Sequence, residues 1–404
     1  MSTFIYEKLK LFQKVSIFKF KIKLIKGFLI KVFIFIIYKF SLDNFIYLST
    51  INDATLFCKE KRKQNYLNAY KTLRDKFIKN TFLNSFLKEL SLLSYDYGAQ
   101  LNNNNNLIHI ITNMNNKYIY PSLVSINSVL RNSNKNKTTI VYHVLCPKNF
   151  RKIYFNKLKS LLKVYPSNLE LIFYNMGNLF NKYKRNRFSE VTFYRLLTPL
   201  FIPIKRVIYL DSDVLVFKDL EGMYHFPCNN NYVSGFLDFL SDGVDYLGLK
   251  SEVYINAGVL LLNLDLIRKE LKFYEMLNLL KSNIKLKNND QTIINYVFYP
   301  NIGILPSRYG IFNFHSTFDI KYLYLKSIRQ NLNMTELIEA FNSPSIMHFV
   351  LCNPKVWYSN SVFIQKFTRS GTIKKSSCKK YHDIWFEYAK NTSFIKEIIK
   401  HYNL

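Results

Sequence analysis

Glycine and proline are scarce in this 404-residue chain, at 11 and 10 residues, which excludes collagen-like repeats and Gly/Pro-rich linker proteins. The five cysteines, Cys58, Cys146, Cys228, Cys352 and Cys378, are odd in number and far apart, and no C-x-x-C pair occurs. Neither a zinc ribbon nor a disulfide framework is therefore expected, and a reducing compartment is favoured. Acidic residues are few as well, 27 Asp plus Glu against 57 Lys plus Arg, for a formal net charge of +30. Long apolar runs are missing: the longest near the N-terminus, residues 27–38, is interrupted by Lys31 and falls short of the roughly 20 residues a spanning helix needs. No small-residue cleavage site follows it, so a removed signal peptide is not expected. The sequons at Asn136, Asn333 and Asn391 would matter only in a secretory lumen and are expected by accident in so Asn-rich a chain.

What the chain does contain, 49% apolar and 17% aromatic residues, is ample for the core of an enzyme-sized body. Residues 1–40 interleave nine lysines with apolar residues and hold a single acid, Glu7, which suits either a basic membrane-surface helix or a helix packed on the body. Apolar residues at three- and four-residue spacing continue through residues 41–100, so 1–100 reads as a basic helical N-terminal extension. The asparagine run within residues 101–106 reads as a linker. Beyond it, short β-rich runs at 107–112, 138–145, 169–175, 206–211 and 255–264 are separated by helical segments at 118–131 and 149–165. Strands alternating with helices imply an α/β domain with a mainly parallel sheet over 107–360, and ligands in such sheets sit at the carboxyl ends of strands. The final segment, 361–404, reads as a basic amphipathic tail, with Ile395, Ile398, Ile399 and Tyr402 at helical spacing among Lys390, Lys396 and Lys400, available to a membrane surface or to the catalytic body.

The most informative stretch is RVIYLDSDVLVFKD at 206–219. An apolar strand ends in Asp211-Ser212-Asp213, and side chains two apart on an extended segment face the same way, so both carboxylates can converge on one hard divalent cation. A solvated turn after a strand would use the same tripeptide, and context has to choose between the two. That context resembles glycosyltransferase family 8, whose members carry an aromatic-Leu-Asp-x-Asp strand binding a metal and a nucleotide-sugar diphosphate. The resemblance covers most of residues 107–357 in the right order and implies a GT-A-like nucleotide-diphospho-sugar transferase fold, a Rossmann-like, mixed and mainly parallel sheet.

The residues that match the family's motifs acquire expected roles by that resemblance. In TNMNNKYIYPSLVSINSVL, Asn115, Asn116 and Tyr118 would line the nucleotide pocket, although family members commonly carry Asp where this chain has Asn. In SEVTFYRLLTPLFIP, Arg195 would contact the donor. Asp211 and Ser212 would meet the diphosphate, and Asp211, Asp213 and His348 would hold Mn²⁺ or Mg²⁺. Asp238 in VSGFLDF and the pair Asp290 and Gln291 in NNDQTIIN would lie beside the transferred sugar as the catalytic groups. Asn256, Ala257 and Gly258 correspond to the family's Asn-Ala-Gly strand, with Gly258 allowing a close approach of the ligand. In IMHFVLCNPKVW, Lys355 would neutralise phosphate and Trp357 would close the segment, with one extra residue and a displaced proline relative to the family pattern.

The expected activity is transfer of a hexose, glucose or galactose, from a UDP-sugar to a cell-surface glycan or glycolipid with retained configuration. Two other readings are weighed beside it. An inactive relative that binds membrane or glycan is motivated by the substituted Asn pocket and the altered His-to-Trp loop. A nucleic-acid-binding protein is suggested by the net charge, but the 150 residues of the two flanks carry 27 basic and 10 acidic side chains while the 254-residue core carries 30 and 17. No nucleic-acid motif accompanies that charge, so nucleic acid is not expected as a partner. Anionic lipid is the better candidate, with the protein cytoplasmic and peripheral at the inner face of a membrane, or in the Golgi lumen if eukaryotic with an uncleaved anchor.

Overall fold

The computed structural model describes residues 91–97, 106–183, 189–238, 253–282, 286, 288–313, 333–350, 352–365 and 374–404. The expected basic helix at 1–40, the helical stretch from 41 to 90 and the linker at 101–105 lie outside the described residues.

Eight strands form the main sheet: β1 (Ser91–Tyr97), β2 (Asn106–Asn113), β3 (Thr138–Cys146), β4 (Leu169–Asn175), β5 (Arg206–Leu210), β7 (Val233–Leu237), β8 (Ile255–Asn263) and β9 (Ile302–Ile304), in the order β1-β4-β3-β2-β5-β8-β7-β9. β2, β3, β4 and β5 run parallel, β8 runs antiparallel to both β5 and β7, and β9 is parallel to β7. The sheet is therefore mixed and mainly parallel, as the alternation of strand and helix implies. Helices cover both faces, as buried parallel sheets require. On β5 the alternation is visible residue by residue: Ile208 and Leu210 enter one core cluster with helix α1 (Ile119–Asn132), while Val207 and Tyr209 enter the other with Phe193, Tyr194 and Leu197. Ahead of the Asp-x-Asp strand, the segment that carries Arg195 is a run of 3-10 turns over Glu190–Leu197 followed by a short α-turn at Thr198–Phe201, where Pro199 stands at the tolerated helix start.

Residues 91–97 depart from the helical reading of 1–100. They form a strand antiparallel to β4, on the side of β4 away from β3. A free strand edge offers a row of unpaired N–H and C=O groups, and SLLSYDY is rich enough in β-tolerant residues to pair with it rather than continue a helix. The sheet thus begins ahead of residue 107, where the sequence places the start of the catalytic domain.

Two small sheets complete the scaffold. β6 (Val214–Val216) pairs antiparallel with β11 (Ile346–His348), which pairs parallel with β10 (Ile311–Phe312). β12 (Cys352–Asn353), β13 (Val362–Gln365) and β14 (Lys374–Ser377) form the other. The C-terminal helices, Lys379–Lys390 and Ile395–Tyr402, turn their apolar sides inward: Tyr381, Trp385, Ala389, Ile398 and Tyr402 are buried, and Tyr402 meets the rings of Trp357, Trp385, Tyr358 and Tyr120. Of that apolar stripe the protein body takes Ile398 and Tyr402 and half-buries Ile395, while Ile399, Lys390, Lys396 and Lys400 face solvent. No helix among the described residues is long and apolar enough to cross a membrane.

Candidate active site

The sheet brings the chemistry-bearing residues to one edge. β2, β5 and β7 share a direction, so Asn113, Asp211 and Asp238 emerge at the same carboxyl end. Because β8 runs the other way between β5 and β7, its first residues, Asn256, Ala257 and Gly258, lie at that end too. Leu210 opposes Val259 and Leu237 opposes Ile255, and the Asp211 N–H donates to the Gly258 carbonyl at 2.8 Å. β6 then carries the chain from Asp213 into the second sheet, where Val214 stands opposite His348. That register delivers an imidazole from 135 residues away: His348 Nε2 lies 3.1 Å from Asp213 Oδ1 and 3.9 Å from Asp211 Oδ2.

One ligand atom from each of Asp211, Asp213 and His348 lies within 4.8 Å of the others. The donor set, two carboxylate oxygens and an imidazole nitrogen, suits Mn²⁺ or Mg²⁺ and leaves positions for diphosphate oxygens. Two further observations fit. Asp211 Oδ1 is occupied by Tyr209 OH at 2.6 Å and Arg195 Nη2 at 2.9 Å, which turns Oδ2 toward the histidine. Gly258 packs directly on the imidazole, where a Cβ would come within 2.6 Å of Nδ1, so only glycine leaves the ring in place. The buried Nδ1 has no hydrogen-bond partner, consistent with a ring positioned by packing against Gly258 and Phe312.

Lys355 completes this corner, donating to Asp213 Oδ2 at 2.5 Å and to the Phe349 carbonyl at 3.2 Å. Burial pushes the Asp213 carboxyl up, but the Lys355 ammonium and the His348 imidazole more than reverse it and hold the group well below the usual carboxylate range. Burial likewise pulls Lys355 down and Asp213 outweighs it, so the ammonium stays charged above its ordinary range. Tyr118 belongs to the same corner: its ring meets Trp357 edge-on with centroids 5.7 Å apart, and burial raises its phenol against the opposing pull of Lys355.

A second group faces the other end of Asn256–Gly258. Gln291 Nε2 donates to Asp238 Oδ2 at 2.8 Å, and its Oε1 accepts from Ala257 N at 3.1 Å and Asn256 Nδ2 at 3.3 Å. Asn256 Oδ1 accepts from Gly258 N at 2.8 Å. These bonds fix the amide and carboxylate relative to the strand that also supports the Asp211 corner. Arg195 joins the two groups. Its Nη2 holds Asp211, its Nε lies 3.1 Å from Asp290 Oδ2 while donating to the Thr192 carbonyl, its Nη1 donates to the Ala257 carbonyl, and its guanidinium stacks on the Tyr209 ring at 3.8 Å. Burial raises the Asp290 carboxyl, with Arg195 opposing it.

Comparison with known proteins gives this arrangement a family: the model of glycosyl transferase family 8 matches residues 109–361. The chain belongs to glycosyltransferase family 8. Among curated relatives, it is 27% identical over 218 residues to glycosyltransferase GlyE of Streptococcus pneumoniae serotype 4, covering 49% of this chain and 50% of that one. It is 27% identical over 220 residues to a lipopolysaccharide 1,2-glucosyltransferase of Escherichia coli, covering 50% and 62%. The matches thus span about half to three-fifths of these relatives' own lengths. Among solved structures, the galactosyltransferase LgtC, in complex with donor and acceptor sugar analogues, shares the fold with a TM-score of 0.55 at 21% identity, over 73% of this chain and 99% of that one. The bifunctional glycosyltransferase WbbM shares it with a TM-score of 0.57 at 23% identity, over 74% and 53%.

The chain has a GT-A-like fold, and the structure places the expected site residues in distinct settings. Asp211, Ser212, Asp213, His348 and Lys355 gather at the end of β5. Asp238, Gln291, Asn256, Ala257 and Gly258 form the adjoining network. Arg195, expected to reach the donor, and Asp290, expected among the catalytic groups, are instead buried against each other, at 6% exposure each. The asparagines of the expected nucleotide pocket are engaged with backbone, Asn115 in its own turn and Asn116 across to the segment that opens at Asn149. Asn115 Oδ1 caps Lys117 N and Tyr118 N, while Asn116 bonds the Asn149 carbonyl and the Arg151 N–H. Tyr209 is the aromatic residue of the aromatic-Leu-Asp-x-Asp strand, two residues before Asp211 on the same strand face, yet the motif alone assigns it no role of its own. Ser122 carried no local signal: its hydroxyl donates to Ser212 Oγ at 2.8 Å from the first turn of α1.

Proposed function

We propose that this glycosyltransferase moves a hexose, glucose or galactose, from a UDP-sugar to a cell-surface glycan or glycolipid with retained configuration, using Mn²⁺ or Mg²⁺ held by Asp211, Asp213 and His348. The observation that carries the proposal is the convergence of these three side chains with Lys355 at the carboxyl end of β5. A divalent cation there supplies charge neutralisation for the departing diphosphate. Lys355, already charged and anchored by Asp213, adds a second positive charge where phosphate oxygens would lie. Tyr118, braced by Trp357, offers a ring beside that corner for the nucleotide. Gln291 and Asp238, locked to each other and to Asn256, orient the sugar and present an amide and a carboxylate to the cationic face that develops at the anomeric carbon. The acceptor hydroxyl is then free to attack on the side that the diphosphate leaves, with no strong external acid required.

Support for the sugar and acceptor comes from the names of relatives, a lipopolysaccharide 1,2-glucosyltransferase and a galactosyltransferase. The test is hydrolysis of a panel of UDP-sugars with Mn²⁺, with Mg²⁺ and with EDTA. Turnover of UDP-glucose or UDP-galactose that disappears in EDTA, and falls about 100-fold or more in Asp213→Asn, is expected. Absence of turnover with every donor would favour a binding protein that has lost catalysis.

A further inference from the structure

We infer that Tyr209 is a positioning residue that makes Asp211 a one-oxygen ligand. The inference rests on the metal reading above. Tyr209 and Asp211 sit two apart on β5 and share a face. The phenol is fully buried and donates to Asp211 Oδ1 at 2.6 Å, the same oxygen that accepts from Arg195 Nη2 at 2.9 Å. The guanidinium in turn lies on the Tyr209 ring at 3.8 Å and is tied to Asp290 and the Ala257 carbonyl. Oδ1 is thereby held by two donors, and Oδ2, 3.9 Å from His348 Nε2, is the oxygen left to a cation. A carboxylate so restrained cannot swing into two-oxygen coordination. That favours a small ion with near-octahedral demands over Ca²⁺, which accepts bidentate carboxylates and more ligands.

Binding of Mn²⁺ to the purified enzyme, followed by the electron paramagnetic resonance of free Mn²⁺ with Ca²⁺ as competitor, tests this. In Tyr209→Phe, Mn²⁺ affinity should fall about tenfold or more, as for one lost hydrogen bond to a charged group, and Ca²⁺ should compete better than in the wild type. Arg195→Lys, which keeps the charge and loses the fork, should shift both quantities the same way. At saturating Mn²⁺, Tyr209→Phe should recover most of kcat, which a merely misfolded variant would not. Unchanged Mn²⁺ affinity and unchanged Ca²⁺ competition in both folded variants would overturn the positioning role. A wild-type enzyme that binds no Mn²⁺ would overturn the metal reading itself, and the inference with it.

An independent observation carries a second inference. The structure assigns Cys352 and Cys378 as partners for a disulfide, although their spacing in the sequence suggests none. Their sulfurs lie 2.7 Å apart, buried, with Asn313 Nδ2 donating to Cys352 Sγ at 3.1 Å. Cys352 follows the His348 strand and Cys378 immediately precedes the helix Lys379–Lys390. The bond would therefore tie the His348–Lys355 segment to the C-terminal helices. The chemistry is exchange with a small disulfide such as oxidised glutathione. One cysteine thiolate displaces a glutathione thiolate to give a mixed disulfide, and the second cysteine displaces the other, so two protein thiols become one S–S bond and the glutathione disulfide becomes two thiols. Since both sulfurs are buried in the folded chain, exchange belongs to folding. Refolding in a glutathione redox buffer, followed by peptide mapping under non-reducing conditions, should give a 352–378 linked peptide and a denaturation midpoint above that of Cys378→Ser in the same buffer. Retention of both thiols, or linkage to Cys146 or Cys228 instead, would overturn it.

Discussion

Gly258 shows how little room the site leaves. It presents its backbone carbonyl to Asp211 and its bare α-carbon to His348, so a methyl group there has to displace the imidazole or the strand. Gly258→Ala should weaken Mn²⁺ binding at least as much as His348→Ala while leaving the protein folded, as a metal titration beside a circular dichroism spectrum would report. Asp213 gives a prediction in pH. Its folded-state pKa is depressed, so the stability it contributes is fully present above its unfolded value, about 3.9, and is lost as pH falls through the lower folded value. In EDTA, Asp213→Asn should therefore destabilise the protein by about 1–3 kcal/mol near neutrality, by stranding Lys355, and the gap to wild type should begin to narrow below about pH 4 and keep narrowing as pH falls further. Urea denaturation of both proteins across that range checks it. The residues that carry a motif, Asp211, Asp213, Asp238, Gln291 and His348, were legible because their types and strand positions restrict what they can do. Arg195 was legible as a site residue but not in its setting. Nothing local says that its guanidinium closes on Asp211, Asp290 and Ala257 rather than on a ligand, because those partners come from three different elements.

The antiparallel course of β8 decides whether the site exists. Were it parallel to β5, its start at Asn256–Gly258 would lie at the wrong edge and neither Gln291 nor His348 would meet it. The sequence shows the strand but not its direction, since direction depends on pairing to both β5 and β7. Strand β1 was missed for a similar reason, because residues 91–97 continue a helical spacing and become a strand only by pairing with the free edge of β4. Removing residues 1–97 should uncover that edge and promote self-association, visible as a larger species in light scattering coupled to size exclusion. At the C-terminus, Trp385 is 1% exposed and joins Trp357 and Tyr402, the former also bracing Tyr118. Trp385→Ala should cost about 3–5 kcal/mol in chemical denaturation. It should also raise the KM for the donor beyond any change in kcat, because the brace behind Tyr118 loosens.

Across the molecule, the charge of +30 divides between one local task and a broad surface. Lys355 meets the corner where a diphosphate would sit, whereas Lys390, Lys396 and Lys400 stand outward on helices whose apolar sides, Ile399 excepted, pack on the body. Contact with an anionic membrane, if these helices make it, would then be electrostatic rather than inserted. Replacing the three lysines with glutamate is expected to reduce binding to anionic vesicles in a salt-sensitive way. Family membership and fold rest on the arrangement of the whole sheet, and the proposed chemistry rests on one corner of it. The measurement that bears on that corner most directly is calorimetric titration of UDP into the enzyme with Mn²⁺, with EDTA, and with Mn²⁺ in Asp213→Asn. The account predicts binding in the first case that weakens by at least about tenfold in the other two. Equal affinity in all three would contradict the assignment of Asp211, Asp213 and His348 as the seat of a metal-bridged diphosphate.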